Sequence, residues 1–159
     1  MLVAYFSRSG NTRVIAGQIH RTYDAPLFEI EAANAYPEDY LQTVAQARQE
    51  TLKEIRPALK AKVTNLVSYQ TIFLGFPIWG ETAPPIIRSF LAAHDFKGKT
   101  IIPFITHGGY GLGNSLKVLA ADVPGANVLD ARLVMQADQE RATMEKVNDW
   151  LGKLPKGVV

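Results

Sequence analysis

The sequence predicts an α/β fold, with a parallel sheet of five strands and helices on both faces. Three observations predict it. Runs that are apolar throughout, such as Leu2-Val3-Ala4-Tyr5-Phe6, suit strands buried on both sides. Segments with apolar residues at helical spacing alternate with those runs along the chain. Polar turns rich in Gly, Asn or Pro separate the two patterns. A chain of 159 residues, 47% hydrophobic and 20% charged, suits one domain over 1–159 with one substantial core.

Strand one is predicted over 2–7, and helix one over 12–21 with Val14, Ile15 and Ile19 as its apolar residues. Strand two is predicted over 26–31. A loop through Asn34, Tyr36 and Pro37 leads to a long helix over 38–55, whose apolar face is expected to be Leu41, Val44, Leu52 and Ile55. Pro57 follows it, and 59–66 reads as a short turn. Strand three falls over 71–76. Pro84 and Pro85 sit where a helix begins, and Ile86, Ile87, Phe90 and Leu91 form that helix's buried stripe. Strand four is predicted over 100–106, followed by a Gly-rich loop and a helix carrying Leu116, Val118 and Leu119. Asp122-Val123-Pro124-Gly125 is a turn, strand five spans 127–134, and a last helix spans 138–154. Parallel strands joined this way require right-handed crossovers.

The most informative chemistry lies at the first strand-to-helix turn, Ser7-Arg8-Ser9-Gly10-Asn11-Thr12. A helix N-terminus leaves backbone N–H groups unpaired and carries partial positive charge. Ser7, Ser9 and Thr12 add hydroxyls, Asn11 adds an amide, and Gly10 allows a φ that other residues resist. A phosphate monoester fits such a turn without a metal. Arg8 belongs to the same loop, with its guanidinium expected to point to water. An ordinary helix cap is the plain alternative, since Ser, Asn and Thr are common caps.

The pattern Ser7-x-Ser9-Gly10-Asn11-Thr12 after a first strand resembles the phosphate loop of flavodoxins. The resemblance extends through Gly75 to Trp79, Asp95-Phe96-x-Gly98-Lys99, Phe104-x-Thr106-His107-Gly108-Gly109 and the Trp150-Leu151 pair, over 2–154. It is closest to a short-chain branch with a Thr-His-Gly-Gly loop. It implies a flavodoxin-like three-layer sandwich with strand order 2-1-3-4-5 and FMN as cofactor. Flavodoxin is itself a standard example of ligand binding at the point where strand order reverses.

On that resemblance, Pro77, Ile78, Trp79 and Gly80 form a ring-binding loop after strand three. Trp79 is expected to stack on the flavin, an apolar tricycle that gains from offset stacking. Packing beneath the next helix is the other reading for Trp79. Thr106 is expected near the ribityl chain. His107, Gly108, Gly109, Tyr110 and Gly113 form a second loop, with Tyr110 over the other ring face. Backbone groups of Ile78, Gly80, Gly108 and Gly109 are expected at the ring's polar edge. His107 serves either as a donor to the flavin or as a structural group. The chain departs from its relatives after Trp79, where Gly80 stands in place of a second aromatic.

Competing motifs fail. Gly98-Lys99-Thr100 resembles the end of a P-loop, but Ala93 stands where the earlier glycine belongs. Gly111-Leu112-Gly113 lacks the third glycine of a dinucleotide fingerprint, since Leu116 is there. A phospho-acceptor receiver needs acids where Ser7 and Phe76-Pro77 stand. No metal site and no catalytic side chain are expected. The net charge of +2 gives no case for nucleic acid, and no apolar run is long enough to span a membrane. With no cysteine and no leader-like start, a cytoplasmic location is expected. Lys53, Arg56, Lys60 and Lys62 make the segment after helix two basic, either a solvated end or a docking surface for an acidic partner. The function expected is FMN-dependent electron transfer between redox partner proteins. Two alternatives stand beside it: an NAD(P)H oxidoreductase for quinones or nitro compounds, and an interaction module without flavin.

Overall fold

The computed structural model describes residues 1–130, 132–136 and 143–159. The elements run β1 (Leu2–Tyr5), α1 (Asn11–Tyr23), β2 (Leu27–Glu29), α2 (Tyr40–Leu52), a 3-10 turn (Leu66–Ser68), β3 (Thr71–Pro77), α3 (Pro85–Ala92), β4 (Thr100–His107), α4 (Ser115–Asp122), β5 (Asn127–Val128), β6 (Leu133–Gln136) and α5 (Thr143–Leu151). The sheet is parallel with order β2-β1-β3-β4-β5, and β6 also pairs with β4.

Every residue of β1 is buried, as are six of the seven in β3, because both faces of the central strands are covered. On one face, Ile15, Ala16 and Ile19 of α1 pack with Val147, Trp150 and Leu151 of α5 over Val3, Tyr5, Phe73 and Phe104. On the other, Ile86, Ile87, Phe90 and Leu91 of α3 pack with Leu119 of α4 over Ala4, Ile72, Leu74 and Ile105. The Arg88 guanidinium grips both oxygens of Asp122 at 2.7 and 3.0 Å, tying α3 to α4. Among the described residues, no helix is long and apolar enough to cross a membrane.

Three differences from the sequence-based expectation have physical causes. The fifth strand is interrupted. Ile101 pairs with Val128 and Phe104 with Leu133, so three steps along β4 face five along the edge. The break falls at the sheet's edge, beside β4, where an interruption costs one ladder of pairing and not two. The segment expected as a turn at 59–66 instead begins with a bridge from Leu59 to Ala32, and its helical turn comes at Leu66–Ser68. The start expected for the last helix, at Asp138, lies outside the described residues.

The third difference is the largest. α2 is shorter than expected, capped at Asp39, whose carboxylate accepts the Gln42 N–H at 2.9 Å. Its buried residues are Thr43, Ala47 and Glu50, while Leu41, Val44, Leu52 and the following Ile55 are exposed. Polar anchors set this rotation. Thr43 Oγ1 donates to the Pro37 carbonyl, and the Glu50 carboxylate accepts from Tyr36 Oη and Gln46 Nε2. A buried carboxylate must be satisfied by donors, and that requirement outweighs the burial of two or three aliphatic side chains.

Candidate functional site

Because the strands are parallel, the loops after β1, β3 and β4 emerge at one edge of the sheet. β1 lies between β2 and β3, so the strand order reverses beside it. A cavity of about 620 Å³ opens there, a size typical of ligand pockets. Arg8, Ser9, Asn11 and Thr12 line it from the first loop, Pro77 to Gly80 from the second, and Thr106 to Gly108 from the third.

The first loop is built as a cradle. Gly10 takes φ +102° just before α1, a conformation open to glycine. The Ser7 hydroxyl oxygen accepts N–H from Gly10 at 3.1 Å and Arg13 at 3.4 Å, leaving its own proton to donate. Thr12 and Thr106 hydroxyls meet at 3.0 Å, both buried, which fixes the start of α1 against the end of β4. Ser9 is exposed and Asn11 half-buried. Arg8 is not simply in water. It donates to the Glu38 carbonyl at 3.1 Å and lies 5.3 Å over the Tyr40 ring, joining the loop to the start of α2.

The second loop is a tight turn. Trp79 and Thr82 exchange both backbone hydrogen bonds, at 3.0 and 3.3 Å, across Gly80 and Glu81. Both central residues have positive φ, +56° and +63°, the signature of a type I′ turn. The Ile78 N–H is taken by the Thr106 carbonyl at 2.9 Å, so Ile78 offers a ligand only its carbonyl. Trp79 is half-buried. Its ring meets Phe6 at 5.1 Å and Tyr36 at 5.0 Å, both edge to face. It packs against the core cluster that holds the buried residues of α3, and it also lines the cavity. The Tyr36 phenol is pushed far above its ordinary range by burial and by its hydrogen bond to the Glu50 carboxylate, so it stays protonated.

The third loop is organised by a side chain. His107 Nδ1 accepts the N–H of Gly109 at 3.0 Å and of Gly111 at 3.2 Å. That places the ring proton on Nε2 and gives His107 a structural role in the loop. The Gly109 N–H is thereby occupied. Gly113 has φ +53°, and a Cβ there would lie 1.8 Å from the Glu81 carbonyl oxygen. The same carbonyl accepts the Asn114 N–H at 2.9 Å, so the second and third loops are latched together.

The geometry therefore gathers Arg8, Ser9, Asn11, Thr12, Pro77, Ile78, Trp79, Gly80, Thr106, His107 and Gly108 around one cavity. Ser7 and Gly10 support it from behind. Gly113 acts as a latch, and Gly109 and Tyr110 do not line this cavity. Tyr110 is 92% exposed, on the loop beside the cavity.

α2 also lines the cavity, beyond the three loops, through Tyr40, Val44, Ala47, Arg48, Thr51 and Leu52. Sequence reasoning missed these residues because it turned the same apolar stripe toward the core. The signal was the Arg48 embedded in it, which a core stripe would exclude. Of the basic segment after α2, Arg56 lies 3.9 Å from Asp122 and Lys60 pairs with Glu31 at 3.0 Å, which neutralises half of it.

Comparison with known proteins agrees with this fold. No curated protein matches the chain significantly. Among solved structures, a candidate flavoprotein from Bacteroides uniformis ATCC 8492 is 36% identical, with 96% of this chain and 97% of that one covered and a TM-score of 0.82. One from Bacteroides eggerthii DSM 20697 is 34% identical, covering 95% and 94%, with a TM-score of 0.79. A flavoprotein from Lactobacillus acidophilus NCFM, solved in complex with FMN, shares the fold at 21% identity, covering 91% and 97%, with a TM-score of 0.72. The sequence pattern described as Flavodoxin matches residues 1–154, nearly the whole of the chain whose sheet order and loops have just been described. This chain belongs to the flavodoxin family.

Proposed function

We propose that this chain is an FMN-binding redox protein that carries electrons between partner proteins. The observation that carries the reading is the cradle at the start of α1, which opens into a cavity beside the half-buried Trp79. The residues fit the cofactor. The N–H groups of Asn11 and Thr12 have no intrahelical partner, as at any helix start, and suit a phosphate. The Ser7 hydroxyl proton, Ser9, Asn11 and Thr12 complete the donor set. Among the described residues that line the cavity there is no carboxylate to repel a dianion.

Bound FMN supplies one- and two-electron chemistry. The chain's own residues bind and orient it. Trp79 offers an apolar face, Thr106 lies between cradle and ring loops, and Gly80 and Gly108 present backbone at the cavity wall. The visible spectrum of the purified protein, with the released flavin identified, tests this reading. A yellow protein releasing FMN supports it, and a colourless protein that takes up no FMN overturns it.

A second reading is favoured by one observation: the cavity has an apolar wall from α2 beyond the cradle and ring loops. Room of that kind suits a small-molecule reductase using NAD(P)H and acting on quinones or nitro compounds. Steady-state oxidation of NADH or NADPH with a quinone separates the two. Turnover points to the reductase, and its absence to the carrier.

A further inference from the structure

We propose that the α2 wall binds a second ligand, a flat aromatic electron acceptor bearing an acidic group, anchored by Arg48. The inference rests on the cavity being an FMN site and deepens the reductase reading. Tyr40, Val44, Arg48 and Leu52 recur at every fourth residue, so they form one stripe along α2, and all four line the cavity. Val44 is 44% and Leu52 68% exposed. A surface helix ordinarily turns such a stripe to the core. Here the core side of α2 is held by Thr43, Ala47 and Glu50, and the apolar stripe is left for a ligand.

The charge pattern selects that ligand. Among the described residues, the cavity lining contains two arginines and no Asp or Glu. Arg8 is engaged by the Glu38 carbonyl and the Tyr40 ring. Arg48 has no ion pair or hydrogen bond among the described residues. A guanidinium on an apolar surface is matched by a carboxylate or sulfonate, through two parallel N–H···O bonds, on a body that covers the neighbouring aliphatic groups.

The FMN phosphate does not meet that need. The cradle lies beside Arg8 and Tyr40, and Arg48 sits eight residues further along α2, a rise of about 12 Å. One anion cannot serve both ends. Val44, between Tyr40 and Arg48, and Leu52, one turn beyond Arg48, give an aromatic body apolar contact on both sides of the anchor.

The test titrates the FMN-loaded protein with 1,4-naphthoquinone-2-sulfonate and with uncharged 2-methyl-1,4-naphthoquinone, by calorimetry and by perturbation of the flavin absorption. The sulfonate is expected to bind at least tenfold more tightly. Arg48→Gln is expected to bring the two quinones within threefold of each other while FMN affinity holds. Lys53→Gln, on the same helix end but outside the cavity, is expected to keep the preference. Equal affinity in the parent protein, or a preference that survives Arg48→Gln, overturns the proposal. A tenfold loss of FMN affinity in Arg48→Gln also overturns it, because Arg48 then belongs to the cofactor. A protein that takes up no FMN overturns the underlying reading instead, and is recognised beforehand by its lack of colour.

Discussion

At the scale of single residues, the cradle separates binding from folding. Ser9 is exposed and its side chain makes no hydrogen bond among the described residues, so Ser9→Ala is expected to weaken FMN by about 1.5 kcal/mol while leaving the melting temperature unchanged. Thr12 is different. Its hydroxyl meets Thr106 in a buried pair, so Thr12→Ala is expected to cost about 1–3 kcal/mol of stability as well as affinity. Flavin titration and thermal melts on both variants check this contrast. Tyr36 gives a pH signature. Its phenol is raised by burial and by Glu50, so the unfolded chain loses that proton first as pH rises. The stability it contributes is fully present below about pH 10, the ordinary tyrosine value, and is lost as pH rises from there toward its folded value. Burial raises Tyr5 and Tyr23 in the same direction. Denaturant unfolding at pH 8 and pH 11 should show an alkaline decline that is shallower in Tyr36→Phe. The sequence announced the cradle residues because their chemistry is local. It did not announce that Thr12 also holds the fold together, since that depends on where β4 ends.

At the scale of elements, the latch between the two ring loops is the sharpest feature. Gly113→Ala places a methyl 1.8 Å from the Glu81 carbonyl and demands an αL alanine. It must displace the turn that carries Trp79. Gly111 also has positive φ but open space around it, so Gly111→Ala carries only the backbone cost of about 1–2 kcal/mol. Gly113→Ala is therefore expected to lose more stability than Gly111→Ala and, unlike it, to lose FMN affinity. Melts and flavin titration of the pair decide. Equal losses would show that the latch does not position the ring loop. Elements with a clear burial pattern, such as β3, β4 and α3, were legible in sequence. α2 was not. Its apolar residues repeat at helical spacing, but periodicity does not say which neighbour the stripe faces. The answer came from Tyr36, which supplies the buried donor for Glu50 and so turns Val44 and Leu52 outward. The broken edge strand was hidden for a similar reason, because the gap between two short pairings with β4 leaves no compositional mark.

At the scale of the whole molecule, sheet order and charge combine. The reversal of strand order beside β1 was anticipated from the loop resemblance, and the parallel sheet brings the three loops to one edge. The chain carries a net charge of +2, and among the described residues the cavity lining holds Arg8 and Arg48 without a carboxylate. A unit charge about 8 Å from the ring contributes roughly 2 kcal/mol at an effective dielectric near 20, or up to about 90 mV per charge on a one-electron couple before screening. Cations favour the reduced, anionic flavin. The midpoint potential of the last one-electron reduction is expected well above that of a strongly acidic flavodoxin, as potentiometric titration at neutral pH would show. A couple as low as that of acidic carriers would mean that ring contacts, not charge, set the potential. The account turns most directly on whether the loop after β1 grips a phosphate. Titrating the flavin-free protein with FMN and with riboflavin measures this. The account requires FMN to bind far more tightly, with Ser9→Ala narrowing the gap. Equal affinity for the two flavins would contradict it.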